Sequence, residues 1–311
     1  MKRFAIFDAM PFWVAVVLLV AGCSVAFGGQ GCPGKGVALQ VLGSGGPEFY
    51  DGRASASYLV WHKGQAVVML DAGSGSKFRF GQSGADFNTV RTVLFTHLHV
   101  DHSVDFPAYI KSAFFSGRNQ TLYVYGPQGN RYFPSTDNFI QALIGNKNSA
   151  FPYLGSYLDG SDEYRIEVQS LSLDKRDITN ILPSNASGLS AVPVHHGPLP
   201  AMAWRVDVAG KSIVFSGDMN GDYGTLPKLA MNADILVAHN AVSEEADGVA
   251  RNLHMPPSVI GAIAKQANVK QLVLSHRMQR TLGREKQTLS IIQEHYAGPV
   301  IFADDLDCFV P

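Results

Sequence analysis

Short apolar runs punctuate this chain, and most end abruptly in glycine, histidine or aspartate. Val37–Leu42, Ser57–Trp61, Ala66–Leu70, Val93–Phe95 and Leu122–Tyr125 read as strands in the first half. Ile213–Ser216, Asp234–Ala238, Gln271–Leu274 and Val300–Phe302 read as strands in the second. The Asp-Ile-Leu-Val opening at residue 234 has the continuous apolar pattern of a buried parallel strand. Helices are predicted over 107–115, 256–266 and 284–296. The second of these opens on Pro256-Pro257-Ser258, where proline suits a first turn. Alternating strands and helices predict an α/β fold built as one αββα sandwich of two pseudo-equivalent halves. No internal repeat or low-complexity tract interrupts it.

Residues 127–188 fit this pattern poorly. Tyr132, Phe133, Phe139, Phe151, Tyr153, Tyr157 and Tyr164 are scattered there among Gly, Pro, Asn and Ser. The segment reads either as a cap insertion lining a substrate pocket or as a satellite hydrophobic cluster, and the second reading suits most of these rings.

The N-terminus carries a different signal. Lys2 and Arg3 precede the apolar stretch Pro11–Ala21, and Val20-Ala21-Gly22-Cys23 follows. This reads as a secretory signal over 1–22 with a small-residue cleavage site, too short in its apolar part for the ~20 residues that span a bilayer. The residues before Cys23 resemble a bacterial lipobox. That resemblance implies a lipidated Cys23, a membrane anchor through it, a linker over 23–36, and a place in the periplasm as an outer-membrane lipoprotein. Ordinary secretion with cleavage near Gly28-Gly29 is the alternative. Cys32 and Cys308 then remain, either as a disulfide tying the two ends of the mature chain or as two free thiols.

About 275 residues remain over 37–311 for a single domain. The chain is 46% hydrophobic and 16% charged, which suits a well-buried enzyme. Its net charge is −1, with no long Lys/Arg run. That balance offers no broad basic footprint, so no nucleic-acid partner is expected.

The candidate chemistry lies in Thr96-His97-Leu98-His99-Val100-Asp101-His102, directly after an apolar run. In an extended segment, side chains two apart point the same way, so His97 and His99 can grip one metal from one side. Asp101 and His102 follow after the chain turns and can reach a second metal. Imidazole and carboxylate suit zinc and related divalent ions. Val192-Pro193-Val194-His195-His196-Gly197, Ile213-Val214-Phe215-Ser216-Gly217-Asp218 and Leu272-Val273-Leu274-Ser275-His276 each place His or Asp at the end of a further apolar run. Active-site residues of layered α/β proteins sit at such strand ends.

The H-x-H-x-D-H stretch resembles the signature of the metallo-β-lactamase-fold hydrolases. Val41-Leu42-Gly43-Ser44-Gly45-Gly46-Pro47 and Leu70-Asp71-Ala72-Gly73-Ser74-Gly75 resemble that family's two glycine loops. The resemblance spans roughly residues 37–304. It implies that His97, His99 and His196 hold one metal, that Asp101, His102 and His276 hold another, and that Asp218 bridges the two. His195 competes with His196. His196 is favoured because Gly197 follows it and Trp204-Arg205 lies a few residues on. Two Zn²⁺ ions are expected, with Mn²⁺ or Fe²⁺ as alternatives; such a pair can lower the pKa of a bridging hydroxide toward neutrality. Asp101 is also a candidate for orienting the attacking water, and Asp71 for supporting a ligand histidine. His62 and His295 match nothing in the family.

Within the family, Pro200-Ala201-Met202-Ala203-Trp204-Arg205 and Leu253-His254-Met255-Pro256-Pro257 resemble the ribonuclease Z and arylsulfatase-like branch. The resemblance makes His254 a candidate for assisting the leaving group, against a plain helix-start role. Two departures stand out. About twenty residues separate His196 from Asp218, too few for a tRNA-gripping arm, and the family's His-Glu-Ala-Thr stretch reads His239-Asn240-Ala241-Val242. The sequence therefore points to an exported dinuclear zinc hydrolase of small phosphodiesters or related sulfate esters. Lactone, thioester or β-lactam hydrolysis is the alternative reaction class, and a non-catalytic metal-binding envelope protein the non-enzymatic one. Oligomeric state, a homodimer included, is left open. Ser74-Gly75-Ser76-Lys77 fits the S-x-x-K of penicillin-recognising enzymes but lacks its companion motifs. The Asn119-Gln120-Thr121 and Asn185-Ala186-Ser187 sequons carry little weight behind a bacterial leader.

Overall fold

The computed structural model describes residues 32, 34, 36–181 and 188–311. The signal stretch 1–22, Cys23, most of the linker and the 185–187 sequon lie outside them. Fourteen strands are found among the described residues: β1 (Val37–Gly43), β2 (Ser57–His62), β3 (Gln65–Leu70), β4 (Thr92–Leu94), β5 (Leu122–Pro127), β6 (Ile166–Leu171), β7 (Thr179–Ile181), β8 (Gly188–His196), β9 (Leu199–Val208), β10 (Lys211–Phe215), β11 (Ile235–His239), β12 (Gln271–Ser275), β13 (Val300–Phe302) and β14 (Cys308–Phe309). They form two seven-stranded sheets, ordered β14-β1-β2-β3-β4-β5-β6 and β13-β12-β11-β10-β9-β8-β7.

Strand alternation sorts the core into three layers. In β1, Val37, Leu39 and Val41 face the second sheet, while Ala38 and Leu42 face the helices outside. In β11, Ile235 and Val237 point between the sheets, and Leu236 and Ala238 point outward. Trp204, Phe215, Tyr58 and Leu70 meet in the inter-sheet layer. Phe106, Tyr109 and Ile110 of the helix Phe106–Phe115 cover one outer face, and Ile260 and Ile263 of the helix Pro257–Gln266 cover the other. This is the expected α/β sandwich. Each strand carries apolar side chains on both faces because each sheet is covered on both sides. Among the described residues, no helix is long and apolar enough to cross a membrane.

Several elements differ from the sequence-based expectation. The apolar run at 192–197 is part of a long antiparallel hairpin, β8–β9, whose polar positions hide the alternation. Residues 127–181 supply an edge strand to each sheet, β6 and β7. Tyr157 and Tyr164 from this segment are buried and stacked, with ring centroids 4.4 Å apart, in the outer core of the first sheet. Tyr132 and Tyr153 remain largely exposed.

The C-terminal β14 crosses back to pair with β1 in the first sheet. Cys308 on this strand is disulfide-bonded to Cys32, with Cα atoms 5.6 Å apart. The bond closes a loop spanning 276 positions, and long loops gain most from closure in the chain-entropy picture. Cys308→Ser is expected to cost about 2–4 kcal/mol of stability, read as a lower urea midpoint. Adding reductant should lower the wild-type midpoint to match the variant. A midpoint indifferent to both would mean that β1–β14 pairing alone holds the C-terminus.

Candidate metal centre

The ligand-bearing residues converge where the C-terminal ends of parallel strands from both sheets meet. From the first sheet, β3 runs into Asp71 and β4 into His97, and these two strands are parallel neighbours. From the second, β10, β11 and β12 are parallel, and they deliver Asp218, His239 and His276. His99 precedes the short helix Val100–Ser103, which carries Asp101 and His102. Gly73 is required where this helix crosses the β3 loop, because a Cβ there would lie 2.2 Å from the Asp101 carbonyl oxygen. Asp71 and His276 both hold φ at 52°. A left-handed backbone at non-glycine residues costs of order 1–3 kcal/mol and tends to be kept at functional sites.

Two groups of ligand atoms form, each within 4.8 Å mutually: His97, His99, His196 and Asp218, and His102, Asp218, His239 and His276. Asp218 belongs to both. Its Oδ2 lies 3.9 Å from His97 Nε2 and 3.8 Å from His196 Nε2 on one side. On the other side it lies 3.6 Å from both His102 Nε2 and His276 Nε2. Asp101 Oδ2 is 3.2 Å from His276 Nε2 and 3.6 Å from His102 Nε2. His97 Nε2 and His99 Nδ1 are 3.0 Å apart, so the two rings do share a side.

His195 and His196 are consecutive on β8 and so face opposite ways. His196 is buried in the cluster. His195 turns out toward Asp222, 4.0 Å away, and packs beside Tyr223. His254 brings its Nδ1 to 3.9 Å from Asp218 Oδ2. That nitrogen is buried and has no hydrogen-bond partner among the described residues.

The surrounding hydrogen bonds set which ring nitrogen faces the cluster. Asp71 Oδ2 accepts from His102 Nδ1 at 2.8 Å, and Asp71 also accepts from the Thr96 amide and hydroxyl. The Leu253 carbonyl accepts from His196 Nδ1 at 2.9 Å. Both rings therefore hold Nδ1 against an acceptor and aim Nε2 inward. Burial works to lower His102, but Asp101, Asp71 and Asp218 outweigh it and raise the ring well above the usual histidine range, so a cation there would have to displace its Nε2 proton. His102 Nε2 is buried there with no hydrogen-bond partner among the described residues, which suits a ligand nitrogen. Burial, reinforced by neighbouring imidazoles, holds His97 well below the usual histidine range, and burial also lowers His99 and His196. These rings are neutral at pH 7, the form that donates to a metal. Burial works to raise the Asp218 carboxyl, but His276, His254 and His102 outweigh it and hold the group well below the usual carboxylate range. The donor set and its unpartnered nitrogens fit divalent metal binding.

His239 is the residue that sequence reasoning left without a role. Its Nδ1 donates to Asp218 Oδ1 at 2.7 Å, and its Nε2 lies 3.0 Å from Tyr58 Oη. Tyr58 Oη in turn lies 2.9 Å from Ser275 Oγ. Burial pushes His239 down to about 4. Both of its nitrogens are engaged, so it positions Asp218 and leaves Oδ2 free to face both groups. The signal was present: Ile-Leu-Val-Ala-His has the same apolar run and terminal histidine as the other ligand segments.

A profile of the β-lactamase superfamily domain matches residues 67–277. The chain belongs to the metallo-β-lactamase superfamily. It is accordingly a metal-dependent hydrolase of that superfamily. A protein named ribonuclease Z from Methanosarcina mazei is 25% identical over 301 residues, covering 87% of this chain and 97% of its own. Another ribonuclease Z, from Picrophilus torridus, is 27% identical over 78% of this chain and 86% of its own. Among solved structures, the metallo-β-lactamase fold protein YhfI from Bacillus subtilis superposes with a TM-score of 0.69 at 18% identity, over 88% of this chain and 98% of its own. Human tRNase Z, short form, gives 0.64 at 20% identity over the same shares.

These relatives correct one expectation. Net charge had argued against a nucleic-acid partner, yet proteins named ribonuclease Z align along nearly their whole length. The physical reason is that net charge averages over the entire surface and leaves out bound cations. A phosphodiester responds to the local field at the site.

Proposed function

We propose that this protein hydrolyses phosphodiester bonds with two zinc-type ions. The ions would be held by His97, His99 and His196 on one side and by Asp101, His102 and His276 on the other, with Asp218 between them. The observation that carries this reading is Asp218 Oδ2, 3.6–3.9 Å from an Nε2 on each side of the centre. When bound, such a pair supplies Lewis-acid charge and an activated water at neutral pH. The chain's own groups do the rest. Asp71 and the Leu253 carbonyl hold the ligand rings in one tautomer. His239 fixes the bridging carboxylate. Asp101 lies where it can orient the attacking water, and the unpartnered His254 Nδ1 can hydrogen-bond a leaving oxygen.

Relatives named ribonuclease Z support phosphodiesters as the substrate class, with RNA among them. Sulfate esters share the tetrahedral, anionic chemistry. Export and anchoring through Cys23 are also proposed. The basic start, the apolar run and the Cys23 motif support them, and so does the Cys32–Cys308 disulfide, since such bonds persist in oxidising compartments.

The test is a panel: bis-p-nitrophenyl phosphate, p-nitrophenyl sulfate, a short RNA, a lactone and a β-lactam. Metal-loaded protein is expected to turn over the diesters. Turnover of the lactone or β-lactam alone would move the protein to carbonyl chemistry. His254→Ala is expected to slow esters with poor leaving groups about 10²-fold, and p-nitrophenyl esters much less, because p-nitrophenolate departs without a proton. Equal losses across leaving groups would remove His254 from that role.

A further inference from the structure

A cleft of about 570 Å³ opens beside the metal centre, and Asp101 lines both. The loop carrying Phe49 forms part of its wall and presses against the site. A Cβ on Gly46 would lie 3.0 Å from His276 Cε1. Glu48 of the same loop accepts a hydrogen bond from the Gln279 amide at 2.6 Å. The loop is thus fastened to the segment just past His276.

The charged groups lining the cleft are already engaged. Arg53 pairs with Asp304 at 2.5 Å and donates to Ser44 Oγ and the Ala303 carbonyl. Arg79 donates to Asp305 Oδ2 at 2.9 Å. Both guanidinium groups are therefore neutralised by the C-terminal segment. Beyond Asp101 and the exposed Ser74, what the cleft offers a ligand is mainly apolar: Phe49, Phe78 and Val100, which are 91%, 68% and 70% exposed. Large apolar side chains exposed together beside a reactive centre mark a ligand site. Flat aromatic walls select flat aromatic partners.

We infer that this cleft holds an aromatic ring carried by the ester, an aryl group or a nucleobase, against Phe49 and Phe78. The inference rests on the phosphodiester reading of the adjoining centre. It makes the cleft a specificity site for the part of the substrate retained beside Asp101.

The experiment compares three diesters with one leaving group: methyl, phenyl and thymidine-5′ p-nitrophenyl phosphate. The aromatic esters are expected to exceed the methyl ester by on the order of tenfold in kcat/KM, carried by KM. In Phe49→Ala/Phe78→Ala the preference should collapse toward one, and Phe78→Trp should retain it. Phenyl and thymidine esters favoured alike would make the site a general ring site; thymidine alone favoured would make it a nucleobase site, and both support the inference. Equal kcat/KM for all three esters in the wild type, or a preference unchanged in the double variant, overturns it. If no diester is turned over, the function proposed above fails by itself. The cleft is then judged by titration calorimetry of phenylphosphonate against methylphosphonate on metal-loaded protein, where equal affinities overturn the inference.

Discussion

Asp218→Asn is expected to lower kcat/KM for a diester by at least about 10³-fold and to reduce bound metal below the two ions per chain expected of the wild type. Asp218 contributes to both groups of ligand atoms through one carboxylate. Asparagine keeps the shape and can keep a contact to His239, but a neutral amide is a poor bridge between two cations. The loss should therefore come from charge and ligation, with the fold intact by circular dichroism. Two comparisons sharpen the result. His276→Ala touches one side of the centre and should cost one ion. His239→Ala leaves all proposed ligands in place and should cost only 10–100-fold, the usual range for residues that orient a ligand. Elemental analysis and kinetics on the same preparations give both readouts. An Asp218→Asn enzyme within tenfold of wild type would remove the bridging role.

Chelation is the second large effect. Stripping metal should abolish turnover and lower Tm by on the order of 10 °C. A ligand present at about 1,000 times its Kd adds roughly 4 kcal/mol to the folded state, and each kcal/mol moves Tm by about 2–4 °C in a chain of 150–250 residues. The donors come from both sheets, so bound cations would cross-link the two halves of the sandwich. Removing them leaves a buried cluster with nitrogens such as His102 Nε2 unpartnered. Zn²⁺ added back should restore both activity and Tm. A Tm unmoved by chelation would make the cluster an ordinary buried polar network.

Much of the candidate site was legible because His97, His196, Asp218 and His276 each follow an apolar run. The H-x-H-x-D-H stretch needs only local geometry: His97 and His99 share a side, and the turn after His99 swings Asp101 and His102 round. His239 shows where such reading stops. Its segment has the same form, but its role depends on Asp218 Oδ1 and Tyr58, which belong to other strands. The contrast between His195 and His196 was open for a related reason. Neighbours on a strand face opposite ways, and which face is inward depends on the register of β8 against β9.

Nucleic-acid exclusion failed because a composition-level sum was asked a local question. The aromatic segment after residue 127 fitted the pattern poorly because β6 and β7 are edge strands, where one-sided burial weakens the apolar pattern.

Local pattern by itself determined the α/β class, the main buried strands, the helices over 107–115 and 256–266, and the placing of His and Asp at strand ends, since alternation and strand-end chemistry are short-range properties. Only the tertiary structure decided which histidine of the 195–196 pair turns inward, that Asp218 Oδ2 stands between two sets of imidazoles, that Cys32 meets Cys308 through a returning β14, and that Phe49 and Phe78 line a cleft beside Asp101. These depend on sheet order and on loops packed from distant parts of the chain, and no window of sequence contains both partners.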